Sequence, residues 1–255
     1  MQATTLVAKL VVTPLLIAVA TMAGRRWGAT VGGWLVGLPL TSGPVALFLV
    51  LEHGPQFGAV AAIATMLGCV SQAAFAVTYA RTARAGPIVA LGMATLSFLG
   101  ATFFLDFAPQ PLALALLIAV AGLIGGLVLL PAGGEQAVSV SPPGWDLPAR
   151  MAVATLFVVV LTGLSAQLGA RLTGLLAPYP LFAAVLAMFA QHAGGPAAGI
   201  DVLRGLLAGL FGFVAFFASL AQLLIPAGPT IAFAAALGTN IIVQVVALAV
   251  LRDGR

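Results

Sequence analysis

The sequence predicts an all-α, polytopic integral membrane protein of about nine transmembrane helices, arranged as two inverted four-helix repeats joined by a linker helix. Three observations predict it. Hydrophobic residues make up 62% of the chain and charged residues 6%, against about 25% charge in a soluble domain, so one water-soluble core cannot hide the apolar surface. Apolar runs approach the ~20 residues that a bilayer span needs at nine places. Third, the chain is written twice. A shift of 141 positions lays residues 28–68 over 169–209 without a gap, and Gly28, Ala29, Gly33, Pro39, Leu40, Ala46, Phe48, Gly54, Pro55, Gly58 and Gly68 meet identical residues. Composition alone gives roughly four matches in such a window. Seven of the eleven pairs are Gly or Pro, which constrain the backbone path and not merely hydrophobicity. At a shift of 142, Ala85, Gly86 and Pro87 meet Ala227, Gly228 and Pro229.

The spans fall near residues 6–23, 29–51, 56–79, 86–105, 110–131, 150–168, 172–191, 197–224 and 228–250. The first run, from Lys9 to Ala23, has the look of a signal peptide, but Lys9–Thr21 aligns with Arg150–Thr162 and so belongs to the repeat. Breakers mark the short connections: Gly24 to Trp27, Glu52 to Pro55, Arg81 to Gly86 and Asp106 to Pro111. One longer polar stretch, from Pro131 to Pro148, holds Glu135, Ser139, Ser141, Pro142, Pro143 and Asp146 and divides the halves. The chain therefore reads as a first four-helix repeat (1–108), a linker helix (109–131), a cytoplasmic connection (132–148) and a second repeat (149–255).

Basic residues set the orientation. With the N-terminus outside, Arg25, Arg26, Arg81, Arg84, Arg150, Arg252 and Arg255 lie inside, and only Lys9 and Arg171 lie at outer ends. One linker span between two four-helix units turns the second upside down, which makes an inverted-topology repeat. The expected location is a bacterial-type inner membrane, with the C-terminus in the cytoplasm. Ten basic residues against six acidic ones form no patch, which argues against a nucleic-acid partner. The single Cys69 excludes a disulfide framework.

Pro39 and Pro180 fall near the middle of the second and seventh spans, where each removes a backbone hydrogen bond and clashes with the preceding turn. Both helices should break there. The first break, LPLTSGP, offers Thr41 and Ser42; the second, APYP, offers Tyr179. Paired breaks at equivalent depths point to a substrate site, and the alternative is Ser and Thr back-bonding at a structural kink. Asp201 and Arg204 are the charges placed well inside a span, three apart on one helix face and able to pair. At that depth a charge costs at least ~2.5 kcal/mol, so Arg204 is a candidate anion contact and Asp201 a candidate proton carrier. A self-neutralising pair is the alternative. Asn240 and Thr239 lie half-way along the ninth span, as glue between helices or as site lining. His53 and His192 read as interfacial caps. No metal site is expected from two histidines at opposite faces and one buried cysteine, and no cofactor. Small-residue pairs Gly28/Gly32, Gly33/Gly37, Gly122/Gly126 and Gly205/Gly209 permit close helix approach within one chain or in a homodimer.

GGWLVGLPLTSGPVALFLVLEHGPQFGA and TGLLAPYPLFAAVLAMFAQHAGGPAAGIDVLRGLLAGLFGFVAFF resemble the small four-helix bacterial membrane proteins of the GlpM type, duplicated and fused. A looser likeness is to small multidrug-resistance transporters, four-helix units that act as antiparallel pairs. Those use a buried acidic residue in their first helix, where this chain has Thr13, Pro14 and Thr21. Together these features predict a membrane transporter, a carrier or exporter of a small solute, anionic if Arg204 reads it. Its midplane site lies between the two broken helices. A non-transporting membrane subunit or lipid-handling factor is the alternative. An intramembrane hydrolase is disfavoured because Ser42 has no evident general base.

Overall fold

The computed structural model describes residues 2–27, 38–131 and 146–253. Residues 28–37, with the pairs Gly28/Gly32 and Gly33/Gly37, and residues 132–145 of the expected connection lie outside the described residues. Among the described residues nine α-helices follow one another: α1 (Gln2–Trp27), α2 (Ser42–His53), α3 (Pro55–Thr82), α4 (Pro87–Leu105), α5 (Leu112–Leu129), α6 (Asp146–Gly163), α7 (Ser165–Leu176), α8 (Leu181–Leu223) and α9 (Gly228–Asp253). A 3-10 turn, Ala83–Ala85, links α3 to α4. Of the described helices, five are long and apolar enough to cross a membrane, namely α3 with its 3-10 turn, α4, α5, α8 and α9.

α8 is 43 residues long by hydrogen bonding, yet it is two helices. Gly195 sits inside it at φ 78°, ψ −177°, a setting essentially reserved for glycine. A Cβ at Gly199 would lie against the Ala187 carbonyl and the Gln191 side chain. Twelve residues of straight helix would hold Ala187 about 18 Å away, so the chain folds back at Gly195. The same hairpin joins α2 to α3. Gly54 has φ 89°, ψ 172°, and Gly58 lies against Val50; these positions become Gly195, Gly199 and Gln191 after a shift of 141. In both hairpins proline follows the glycine, at the first helical position where its missing N–H has no partner to lose. The expected seventh and eighth spans are therefore separate segments, 181–194 and 196–223, joined without a loop.

α3 is the centre of the molecule, packed against α2, α4, α5, α7 and α8. Its buried face is built of small residues, among them Ala61, Ala64, Gly68, Ala73 and Ala76, so neighbours come close. A Cβ at Gly174 of α7 would strike the Ala61 carbonyl, and one at Gly122 of α5 would strike Val70. Gly122 and Gly126 thus pack within the chain, whereas a Cβ at Gly205 would meet nothing within 4 Å.

One pair of equivalent helices runs in opposite directions. Gln191, just before the second hairpin bend, donates to the Ala83 carbonyl beyond the C-terminal end of α3 (2.7 Å). At the other end, Leu224 after the 196–223 segment lies against Gly58 in the first turn of α3. Segment 196–223 is the 141-residue equivalent of α3, and the two pack antiparallel.

α4, α5 and α9 each bury one narrow stripe. On α4 it is Ala90, Ala94, Phe98 and Thr102; on α5 it is Ala115, Ala119, Leu123 and Gly126. Their outer faces expose Ile88, Phe103, Phe104, Val128 and Ile242, apolar surface that fits a membrane-embedded protein.

Candidate functional site

Both prolines interrupt the chain in the same way. Leu40 N–H donates to the Leu38 carbonyl (2.8 Å) and Gly43 N–H to the Pro39 carbonyl (2.7 Å); 141 residues on, Leu181 donates to Tyr179 (2.8 Å) and Ala184 to Pro180 (2.8 Å). Each proline is the centre of an inverse γ-turn, with Pro180 at φ −81°, ψ 55°. The new helix starts at Ser42, three residues after Pro39, and at Leu181, directly after Pro180. Proline causes this because it has no N–H to continue the previous helix and its ring excludes the preceding carbonyl. Residues 38–41 and 177–180 accordingly have no regular helix.

The two breaks meet. The Ser42 hydroxyl, buried at the start of α2, donates to the Ala177 carbonyl at 2.9 Å across 135 residues of chain. That carbonyl lies at the end of α7, where helix termini leave acceptors unsatisfied. Pro39 and Pro180 are buried, and Thr41 is half-buried. Tyr179 stands edge-on to Phe75 of α3 (centroids 6.1 Å) and to Phe98 of α4 (5.2 Å), and its hydroxyl bonds Thr95 at 2.8 Å. Pro178 presses on α3 at Gly68, where any Cβ would meet its ring.

The other expected site residues lie elsewhere, and one pairing is corrected. Arg204 and Asp201 do not form an ion pair: among the described residues the pairs are Lys9–Glu52 (2.6 Å) and Arg171–Asp106 (3.2 Å). Arg204 instead donates to the carbonyls of Leu130 (3.4 Å) and Pro131 (2.6 Å). The unsatisfied carbonyls and negative dipole end of α5 outcompete a carboxylate one turn away. Asn240 is buried where α9 crosses α8 at Gly212, and its side-chain oxygen accepts from Gln244 (2.9 Å). Thr239 back-bonds to Ala235 (2.9 Å). Among the described residues an apolar groove of about 490 Å³ lies between α1 and α6, lined by Leu10, Pro14, Met151, Thr155, Leu156 and Val159.

Three features escaped the sequence reading. Lys9, 5% exposed, is held by Glu52 and lies over the Phe48 ring at 5.6 Å, a long-range pairing that its alignment with Arg150 does not encode. Arg171 caps α4 through the Leu105 (3.0 Å) and Ala108 (2.6 Å) carbonyls, as Arg204 caps α5. Most telling are Gln72 and Tyr79 of α3, 4% and 0% exposed, whose Oε1 and hydroxyl have no hydrogen-bond partner. Their signal was present as polar residues inside an apolar span that align with Phe213 and Leu220. His53, expected as a cap, stacks on Phe57 (4.3 Å) and meets Ser165 at 2.7 Å. Since Ser165 donates to Thr162, His53 Nε2 is the donor in that bond.

No family model, curated protein or solved structure matches this chain.

Proposed function

We propose that the chain is a membrane transporter for a small solute, built from two four-helix repeats of opposite orientation, with its site where the two broken helices meet. The Ser42–Ala177 bond carries this reading, because it brings the two proline breaks together at the centre of the molecule. Non-helical backbone at membrane depth is tolerated where it is buried in protein or lines a water-filled cavity. Two broken helices related by inverted repeats are the arrangement in which alternating access operates by rocking one repeat against the other. The antiparallel packing of α3 against its equivalent supports the inverted layout, as do the matched glycine settings and γ-turns. On the bias of basic residues, the N-terminus faces outward and the C-terminus the cytoplasm of a bacterial-type inner membrane.

The occupied guanidinium of Arg204 shifts the weight away from an anionic solute read at that residue, and Asp201 is the acidic group proposed for a coupled proton. The reading is tested by cysteines placed singly at residues 41, 42 and 179 in a Cys69→Ala chain. In vesicles of defined orientation they should react with a membrane-impermeant maleimide from either side. Protection from both sides would favour the second reading, a non-transporting membrane subunit whose kinks only pack helices.

A further inference from the structure

Gly68, Gln72, Phe75 and Tyr79 form one stripe on α3, within an arc of about 60° at 100° per residue. The second break lies along this stripe, with Pro178 on Gly68 and the Tyr179 ring against Phe75. Gln72 stands between those two contacts. Its Cα and that of Tyr79 are about 10 Å apart along the helix axis, and the Gln72 Oε1 and the Tyr79 hydroxyl are buried with no partner. Such groups call for a specific explanation, because each unsatisfied polar group weighs against the fold.

The duplication supplies an internal control. The equivalent stripe in the second half is Gly209, Phe213, Phe216 and Leu220, and Phe213, Phe216 and Leu220 are buried as well. The small residue and the first aromatic ring survive in both halves, so the architecture requires those. It requires no polar group at the other two positions, which the second half fills with Phe and Leu.

We infer that Gln72 and Tyr79 are the recognition groups of a binding site for an uncharged, planar aromatic solute carrying an N–H or O–H donor. Oε1 of Gln72 accepts from that donor, and the Tyr79 hydroxyl meets a second polar atom or the ring face. Phe75 and Phe98, which hold the Tyr179 ring edge-on, offer a solute's ring the same edge-to-face contacts. The stripe carries no formal charge, so a charged solute would enter without a counter-charge, at a high desolvation cost. In the present conformation the Tyr179 ring takes up those contacts with Phe75 and Phe98, and because Tyr179 belongs to the break, movement of the break would free them. The inference rests on the transporter reading only in taking this ligand to be the transported solute.

The test uses the full chain in lipid nanodiscs titrated with indole, which is planar, uncharged and carries one N–H, against 1-methylindole, which lacks the donor, and indole-3-acetate, which is anionic. Saturable indole binding at least tenfold tighter than either comparison compound is expected. Gln72→Phe with Tyr79→Leu, which installs the residues of the second half, should abolish it while leaving the protein folded. Should that double variant misfold, Tyr79→Phe removes one hydroxyl only and should weaken indole binding about fivefold. Equal affinity for indole and 1-methylindole, or unchanged binding in a folded variant, overturns the site. So does an absence of saturable binding together with a Tyr79→Phe chain of raised melting temperature, which would mean a buried water or an unfilled gap. Indole binding with both breaks closed to maleimide removes the transporter reading and leaves the site standing; labelled breaks without indole binding do the reverse.

Discussion

Gly54 and Gly195 lie 141 residues apart and share one backbone setting, φ 89°, ψ 172° at the first and φ 78°, ψ −177° at the second. Each turns a broken helix back onto a long one, and the long helices that follow, α3 and 196–223, pack antiparallel in the centre. The backbone at these two points sets where the breaks fall relative to α3, and hence whether they meet.

Replacing either glycine by alanine should be costly for conformational reasons alone. Around Gly195 an added Cβ meets nothing within 4 Å, and at Gly54 only the Gln56 Oε1 at 3.9 Å. The backbone setting is outside what an L residue adopts without strain, which costs of order 1–3 kcal/mol. Gly54→Ala and Gly195→Ala should therefore lower the melting temperature of the solubilised protein by similar amounts. A silent substitution at either position would contradict the hairpin assignment.

Gly174 tests packing and not conformation. Its Cβ would collide with the Ala61 carbonyl and the Ala64 side chain on α3, backbone and a short side chain that cannot swing aside. Gly174→Ala should destabilise by about 1–3 kcal/mol, whereas Gly205→Ala, which points into open space, should leave stability unchanged or slightly raised. Thermal unfolding followed by circular dichroism separates the two.

The Lys9–Glu52 pair should be strongly coupled. Lys9→Met leaves the Glu52 carboxylate with 22% side-chain exposure, so its loss is at the mild end of the ~3–5 kcal/mol seen when one partner of a buried pair is removed. The double change Lys9→Met with Glu52→Gln should recover most of that loss. Additive effects in the double-mutant cycle would show that the two residues do not hold α1 to α2.

Arg204 and Asp201 should behave independently. Arg204→Ala removes the cap on the Leu130 and Pro131 carbonyls and should cost roughly 1.5–3 kcal/mol, the worth of a hydrogen bond from a charged donor. Asp201→Asn should be near neutral for stability. Strong coupling between them in a double-mutant cycle would restore the ion pair that the structure replaces with a helix cap.

Much of this arrangement was legible in the sequence because glycine and proline constrain backbone directly. Pro39 and Pro180 mark the breaks, Gly54 and Gly195 the reversals, and the gapless repeat ties each to its twin. Long-range partners were not legible. Helical spacing puts Asp201 and Arg204 on one face, but it is blind to the end of α5, 73 residues away along the chain, where Arg204 bonds. Burial of Gln72 and Tyr79 without partners depends on how closely the second break presses on α3, which periodicity within one helix does not encode. The contact between Ser42 and Ala177 is of the same kind: the sequence marks both breaks, and only the packing brings them together.

The most direct test of an inverted pair of repeats is the sidedness of the two glycine hairpins. Gln56 follows Gly54 and Ala193 precedes Gly195, and both side chains are exposed. In a Cys69→Ala chain, Gln56→Cys and Ala193→Cys should be labelled by an impermeant maleimide from opposite sides of the membrane, Gln56 from outside and Ala193 from the cytoplasm. Labelling of both from the same side would contradict the inverted repeat, and with it the transporter built on two opposed breaks.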